Sequence, residues 1–240
     1  MKLIKLSFII FSFLSIFGTA FAQEKINQVD AQGKKEGLWK GVYEASKRPR
    51  YEGTFEKGYE VGVFNYFDDT KAQTVIAKRE FSEKGTVAKT TFFDQKGNIV
   101  SEGVTVNKLK EGVWNYYHKG SKQLMNVENY KNGKLEGLRT VYFNSGNIAE
   151  EANYVDGKRE GVYKVYLENG IVVEEATFKN GLYDGVAIFR DIKGNIVSKG
   201  PFVNGAKKGM WEFYEGQKLI KKEKYPLRVK FEKKTNIPKM

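Results

Sequence analysis

The chain has 240 residues, with 41 Lys and Arg against 29 Asp and Glu, a single histidine and no cysteine. Disulfides and thiolate metal sites are thereby excluded, and nucleophile–histidine catalysis has only His118 to draw on. The formal charge of +12 gathers at one end: residues 217–240 carry nine basic side chains against Glu223 and Glu232, so the rest is close to neutral and a nucleic-acid partner is not expected.

In chain order, Lys2 and Lys5, the apolar stretch Leu6 to Phe17 and Ala20-Phe21-Ala22 read as a secretory signal over residues 1–22, which would make the protein exported, periplasmic or secreted. Residues 23–32 are expected as a linker. From residue 33 to 226 one phrase returns eight times: a glycine, three residues, a second glycine, then aromatics. It appears as Gly33…Gly37-Leu-Trp39, Gly58…Gly62-Val-Phe64, Gly133…Gly137, Gly157…Gly161-Val-Tyr163, Gly181…Gly185 and Gly205…Gly209-Met-Trp211. Two copies are degenerate. Lys108 replaces the first glycine before Gly112, and the copy near Lys84 lacks the second. A period near 24 residues marks a stacked array in which each unit rests on its neighbours.

Within a unit, β-branched and aromatic runs such as 138–143 and 148–154 flank Asn144-Ser-Gly-Asn147, a hairpin signature. Asn132-Gly133, Asp156-Gly157, Asn180-Gly181 and Asn204-Gly205 then lead into the next unit as tight turns. The expected fold is all-β: an elongated antiparallel meander of about eight hairpin repeats, roughly sixteen strands, twisted or coiled rather than flat.

Two aromatic columns follow from strand alternation. Counting the first glycine of each unit as zero, position six holds Trp39, Phe64, Thr90, Trp114, Arg139, Tyr163, Ala187 and Trp211. Position nine points to the other face and holds Phe67, Phe93, Tyr117, Tyr142, Tyr166, Arg190 and Tyr214. One ladder should be core; the other is either a second packed surface or a binding face.

After the last unit, Leu227, Val229 and Phe231 alternate with charged residues and suit a capping strand in a basic tail, 227–240. Lys221, Lys222, Lys224, Arg228, Lys230, Lys233 and Lys234 are the candidates for contact with an anionic membrane surface. No catalytic constellation, cofactor motif or metal-ligand spacing stands out. Glu150-Glu151 and Glu174-Glu175 are strand neighbours that face opposite ways, and His118 reads as a solvated turn residue.

The pattern Tyr154-x-x-Gly157-x-x-x-Gly161-x-Tyr163 and its copies resemble the MORN-repeat variant family, which includes bacterial proteins called YwqK-like antitoxins. The resemblance implies hairpin repeats in an elongated sheet, used for protein or lipid contact and not for catalysis. The expected function is therefore an exported, non-catalytic scaffold that binds a protein or envelope component along Phe67, Tyr117, Tyr142, Tyr166 and Tyr214. Peripheral membrane binding through the basic tail and antitoxin-like neutralisation of a partner protein are the alternatives.

Overall fold

The structure, a computed structural model, describes residues 25–226. The signal-like segment, the alternating segment Leu227 to Phe231 and the tail cations Arg228, Lys230, Lys233 and Lys234 lie outside the described residues. Twenty strands, Gln28–Val29 to Lys218–Tyr225, pair antiparallel with their chain neighbours in one open meander. They form eight hairpins, from Lys35–Val42 with Pro49–Glu56 to Gly209–Glu215 with Lys218–Tyr225. The count exceeds sixteen because the first arm of three hairpins is split, as at Lys134–Leu135 and Gly137–Tyr142, and because Gln28–Val29 adds a strand in the region expected as a linker.

From the second unit on, the residues at the start of the phrase form a two-residue turn with positive φ at both positions, as at Asn132 (50°) and Gly133 (79°), the geometry matched to strand twist. In the third unit this turn is Lys84-Gly85. The second glycine has a different task. Gly161 sits at φ 80° inside the strand Lys158–Tyr166, where the register with Ile148–Val155 slips between Ala152 and Tyr154. It is the left-handed residue of a bulge, repeated once per unit, and bulges increase twist and bend the strand. The third unit has Ala88 there, paired with both Phe81 and Thr105, and its register slip falls on the preceding strand between Phe81 and Glu83.

In five units a carboxylate just before the bulge glycine ties the unit to the next. Glu36 accepts a hydrogen bond from the backbone N–H of Lys57 (2.8 Å), Glu111 from Asn132 (2.8 Å), Glu136 from Asp156 (2.9 Å), Glu160 from Asn180 (2.8 Å) and Asp184 from Asn204 (3.1 Å). Each receiving residue opens the following turn, so the turns stack along one edge of the sheet.

The core is a single layer of rings lying flat on one face. Position six supplies Phe64, Trp114, Tyr163 and Trp211, all buried. Their neighbours across the ladder are small. A Cβ on Gly53, Gly103 or Gly200 would stand 2.4–2.5 Å from ring atoms of Phe64, Trp114 or Trp211, while Ala152 and Ala176 flank Tyr163. Rings three residues before each unit start close the band edge-on, as Phe55 and Phe81 do beside Phe64 (5.2 and 5.4 Å between centroids) and Phe202 beside Trp211 (5.1 Å). Cations at position two cover the band: Lys35 lies 4.3 Å from the Trp39 ring centroid, Lys110 4.7 Å from Trp114, Arg159 4.7 Å from Tyr163 and Lys207 4.0 Å from Trp211. The sheet thereby buries its rings without a second layer.

Candidate functional site

The position-nine side chains point away from this band, at the end of each hairpin beside its loop. Each ring pairs across the hairpin with an aliphatic residue: Phe67 with Val75, Phe93 with Ile99, Tyr117 with Leu124, Tyr142 with Ile148, Tyr166 with Val172 and Tyr214 with Leu219. A register slip precedes every one of these pairs, so a second bulge per unit sets the ring at the loop edge. The row runs one ring per hairpin, two strand spacings or about 9.6 Å apart. Arg190, held to Glu175 at 3.2 Å, replaces a ring between Tyr166 and Tyr214.

All five sequence-derived contact residues are half-buried. Clefts open beside three of them, between successive loops. Phe67 lines one of about 350 Å³ with Val42, Lys47, Pro49 and Gln73. Tyr117 and Phe93 line one of about 630 Å³ with Asn98, Ile99 and Ser121. Tyr166 lines one of about 430 Å³ with Asn147, Ile148 and Asn169. Phe93 thus joins the row beside the five.

The Tyr117 and Tyr166 phenols are tied down rather than free. Tyr117 donates to Glu102 (2.7 Å) and Tyr166 to Glu151 (2.6 Å), residues on the neighbouring strands and the same face. Burial first, and then the adjacent carboxylate, push both phenols up to about 12. They stay protonated as donors, and the hydrogen bond orients the ring, leaving its apolar surface to form the cleft wall.

At the C-terminal end of the row Glu212 accepts from Tyr214 (2.6 Å) and lies 3.2 Å from Lys199 and 2.7 Å from Lys222. Lys222, then Tyr214 and Lys199, draw its carboxyl down to about 2 from an ordinary 4.5. A depressed acid contributes stability above its unfolded value and loses it as pH falls towards the folded one. Between pH 4.5 and 2 the last hairpin should therefore weaken, and Glu212→Gln should abolish that part of the acid dependence. Hydrogen exchange of residues 209–225 across this range checks it.

The candidate anionic-surface lysines are divided by strand alternation. Lys221 is paired with Glu223 (3.0 Å) and Lys222 with Glu212, while Lys224 makes no ion pair among the described residues. His118, expected as a solvated turn residue, is half-buried in the loop after Tyr117, with its Nε2 shielded and unpartnered. Its loop folds back through the His118 N–H to the Gln123 carbonyl (3.0 Å). Among the described residues no group of three or more His, Cys, Asp or Glu side chains is placed to hold a metal ion.

Two features of the units escaped sequence reasoning although their signals are present. The inter-unit carboxylate is written as Glu or Asp before the second glycine in five units, and the ring-covering cation as Lys or Arg two residues after the first glycine in four.

Two adjacent units, residues 135–156 and 159–180, match the model of the MORN repeat variant. Such repeats are protein- or membrane-contact modules, and the remaining hairpins share their strand–turn–strand construction. No curated protein matches the chain in sequence.

Proposed function

We propose that this protein is an exported, non-catalytic scaffold that binds an extended segment of a partner protein of the cell envelope along Phe67, Tyr117, Tyr142, Tyr166 and Tyr214. The observation that carries the reading is the recurrence of an aromatic-walled cleft between successive loops, at Phe67, at Tyr117 and at Tyr166. The spacing suits an extended polypeptide. Two strand spacings are about 9.6 Å, and a polyproline II segment returns to the same side every three residues, about 9.3 Å. Every third side chain of such a segment meets the next ring and every sixth the next of these clefts, and rigid rings offer contact area at low entropic cost.

Affinity capture from an envelope extract tests this, with wild-type protein and the triple variant Tyr117→Ala, Tyr142→Ala, Tyr166→Ala as baits. A discrete protein held by the first should bind the folded triple variant at least about tenfold more weakly. Loss of the folded state in the triple variant would show instead that the row is packing. A third bait ending at Pro226 separates the array from the basic tail. That boundary keeps the strand Lys218–Tyr225, which is paired along Gly209–Glu215. Retention that needs residues 227–240 would move the function to the tail.

A further inference from the structure

The ring band on the core face has one gap. Position six lacks a ring in three units, each is covered differently, and only the third leaves an opening beside it. In the seventh, Ala187 is accompanied by the Tyr183 ring, which packs 4.3 Å from Phe178 and 4.9 Å from Phe202. In the fifth, Arg139 fills the place and bridges two glutamates. In the third, Thr90 is 2% exposed and hydrogen-bonds only the Thr105 hydroxyl at 3.2 Å, while Thr105 in turn donates to the Ala88 carbonyl (3.2 Å). Arg79, which pairs with Thr90 across the ladder and reaches Thr105 on the strand beyond, covers this position, and the opening lies beside it, over Ala77. The opening is a cavity of about 400 Å³ lined by Tyr66, Ala77, Arg79, Phe92, the two threonines and Lys108.

The walls of this cavity have a definite chemistry. Ala77 pairs with Tyr66 on one side and Phe92 on the other, so the two rings rise from backbones two strand spacings apart, about 9.6 Å. A planar ring standing over Ala77 lies about 4.8 Å from each, within the range of favourable aromatic pairs. At one end stands Arg79, whose side chain is 14% exposed. Its Nη2 reaches Thr105 (3.3 Å), but its Nη1 is 4.0 Å from Glu60, a loose pairing that leaves donors for a second carboxylate. Lys108 stands exposed at the rim and is in no ion pair among the described residues.

We propose that this gap is a binding site for a small aromatic carboxylate. The ligand's ring lies over Ala77 between Tyr66 and Phe92, and its carboxylate meets Arg79 and Lys108. The site is on the face opposite the Tyr117 row, so it stands or falls independently of the docking function.

Titration of the full chain with 4-fluorophenylacetate, followed by fluorine NMR, tests it. Acetate and benzyl alcohol serve as probes carrying the charge or the ring alone. Saturable binding of fluorophenylacetate is expected, with both control probes at least about tenfold weaker. Arg79→Gln should weaken binding by about the same factor. Ala77→Leu fills the space from the floor and should abolish binding. Should that variant not fold, Ala77→Val fills part of the same space and should weaken it. Absence of saturable binding, or binding unaffected by a folded cavity-filling variant, overturns the proposal.

Discussion

Trp114→Ala is expected to cost the array about 3–5 kcal/mol and to divide its unfolding into two steps. Trp114 is 1% exposed, lies flat over Gly103, donates its indole N–H to the Val104 carbonyl (2.9 Å) and is covered by Lys110. Its neighbours at position six are Thr90 and Arg139, so it is the only position-six ring between Phe64 and Tyr163. In a solenoid-like array each unit is stabilised by the next, and a weak interface uncouples the two sides. Without this ring, the hairpins before residue 84 and those after residue 157 should melt separately. Gly103→Val should act in the same direction from the partner strand, because its Cβ would meet the indole at 2.5 Å. Urea titrations of the two variants, followed by far-ultraviolet circular dichroism, would show two transitions. A single transition at the wild-type midpoint would mean that the ring band does not couple the units.

Arg139→Met should destabilise the protein by about 3 kcal/mol, because it removes the cation and leaves its carboxylates in place. Arg139 lies 3.2 Å from Glu128 and 2.8 Å from Glu150, whose side chains are 12% and 22% exposed. Asn126 and Tyr130 donate to Glu128, and Tyr163 to Glu150, so the network holds both acids in position after the arginine is gone. Arg159, 3.7 Å from Glu150, offsets part of one charge only. The triple variant Glu128→Gln, Arg139→Met, Glu150→Gln should recover most of the loss, since neutral amides retain hydrogen-bonding capacity without repelling each other. Thermal melts of the single and triple variants decide it. Equal melting temperatures would show that the cluster is solvated too well to matter.

Much of this architecture can be read from residue order. Asn-Gly and Asp-Gly pairs demand positive φ at two successive positions, and alternation separates Trp114 from Tyr117 onto opposite faces. The second glycine is harder to read. Gly161 resembles another turn signal, and only pairing with the preceding strand reveals a bulge. The Glu160 carboxylate shows the same limit: its partner, the Asn180 N–H, is 20 residues away and adjacent only once two turns stack.

The repeat, the hairpins and the two aromatic columns were determined by the sequence alone, because turn chemistry and two-residue periodicity are local properties. Which column forms the core was a matter for tertiary structure. The rings at position six lie flat because Gly53, Gly103, Ala152 and Gly200 on the neighbouring strands leave room for them, a fit that depends on register between strands. Register likewise decided that the missing ring at Thr90 is covered by Arg79 while the one at Ala187 is accompanied by Tyr183. Both sites are relations between strands, since the clefts lie between successive loops and the cavity spans four strands from Tyr66 to Thr105.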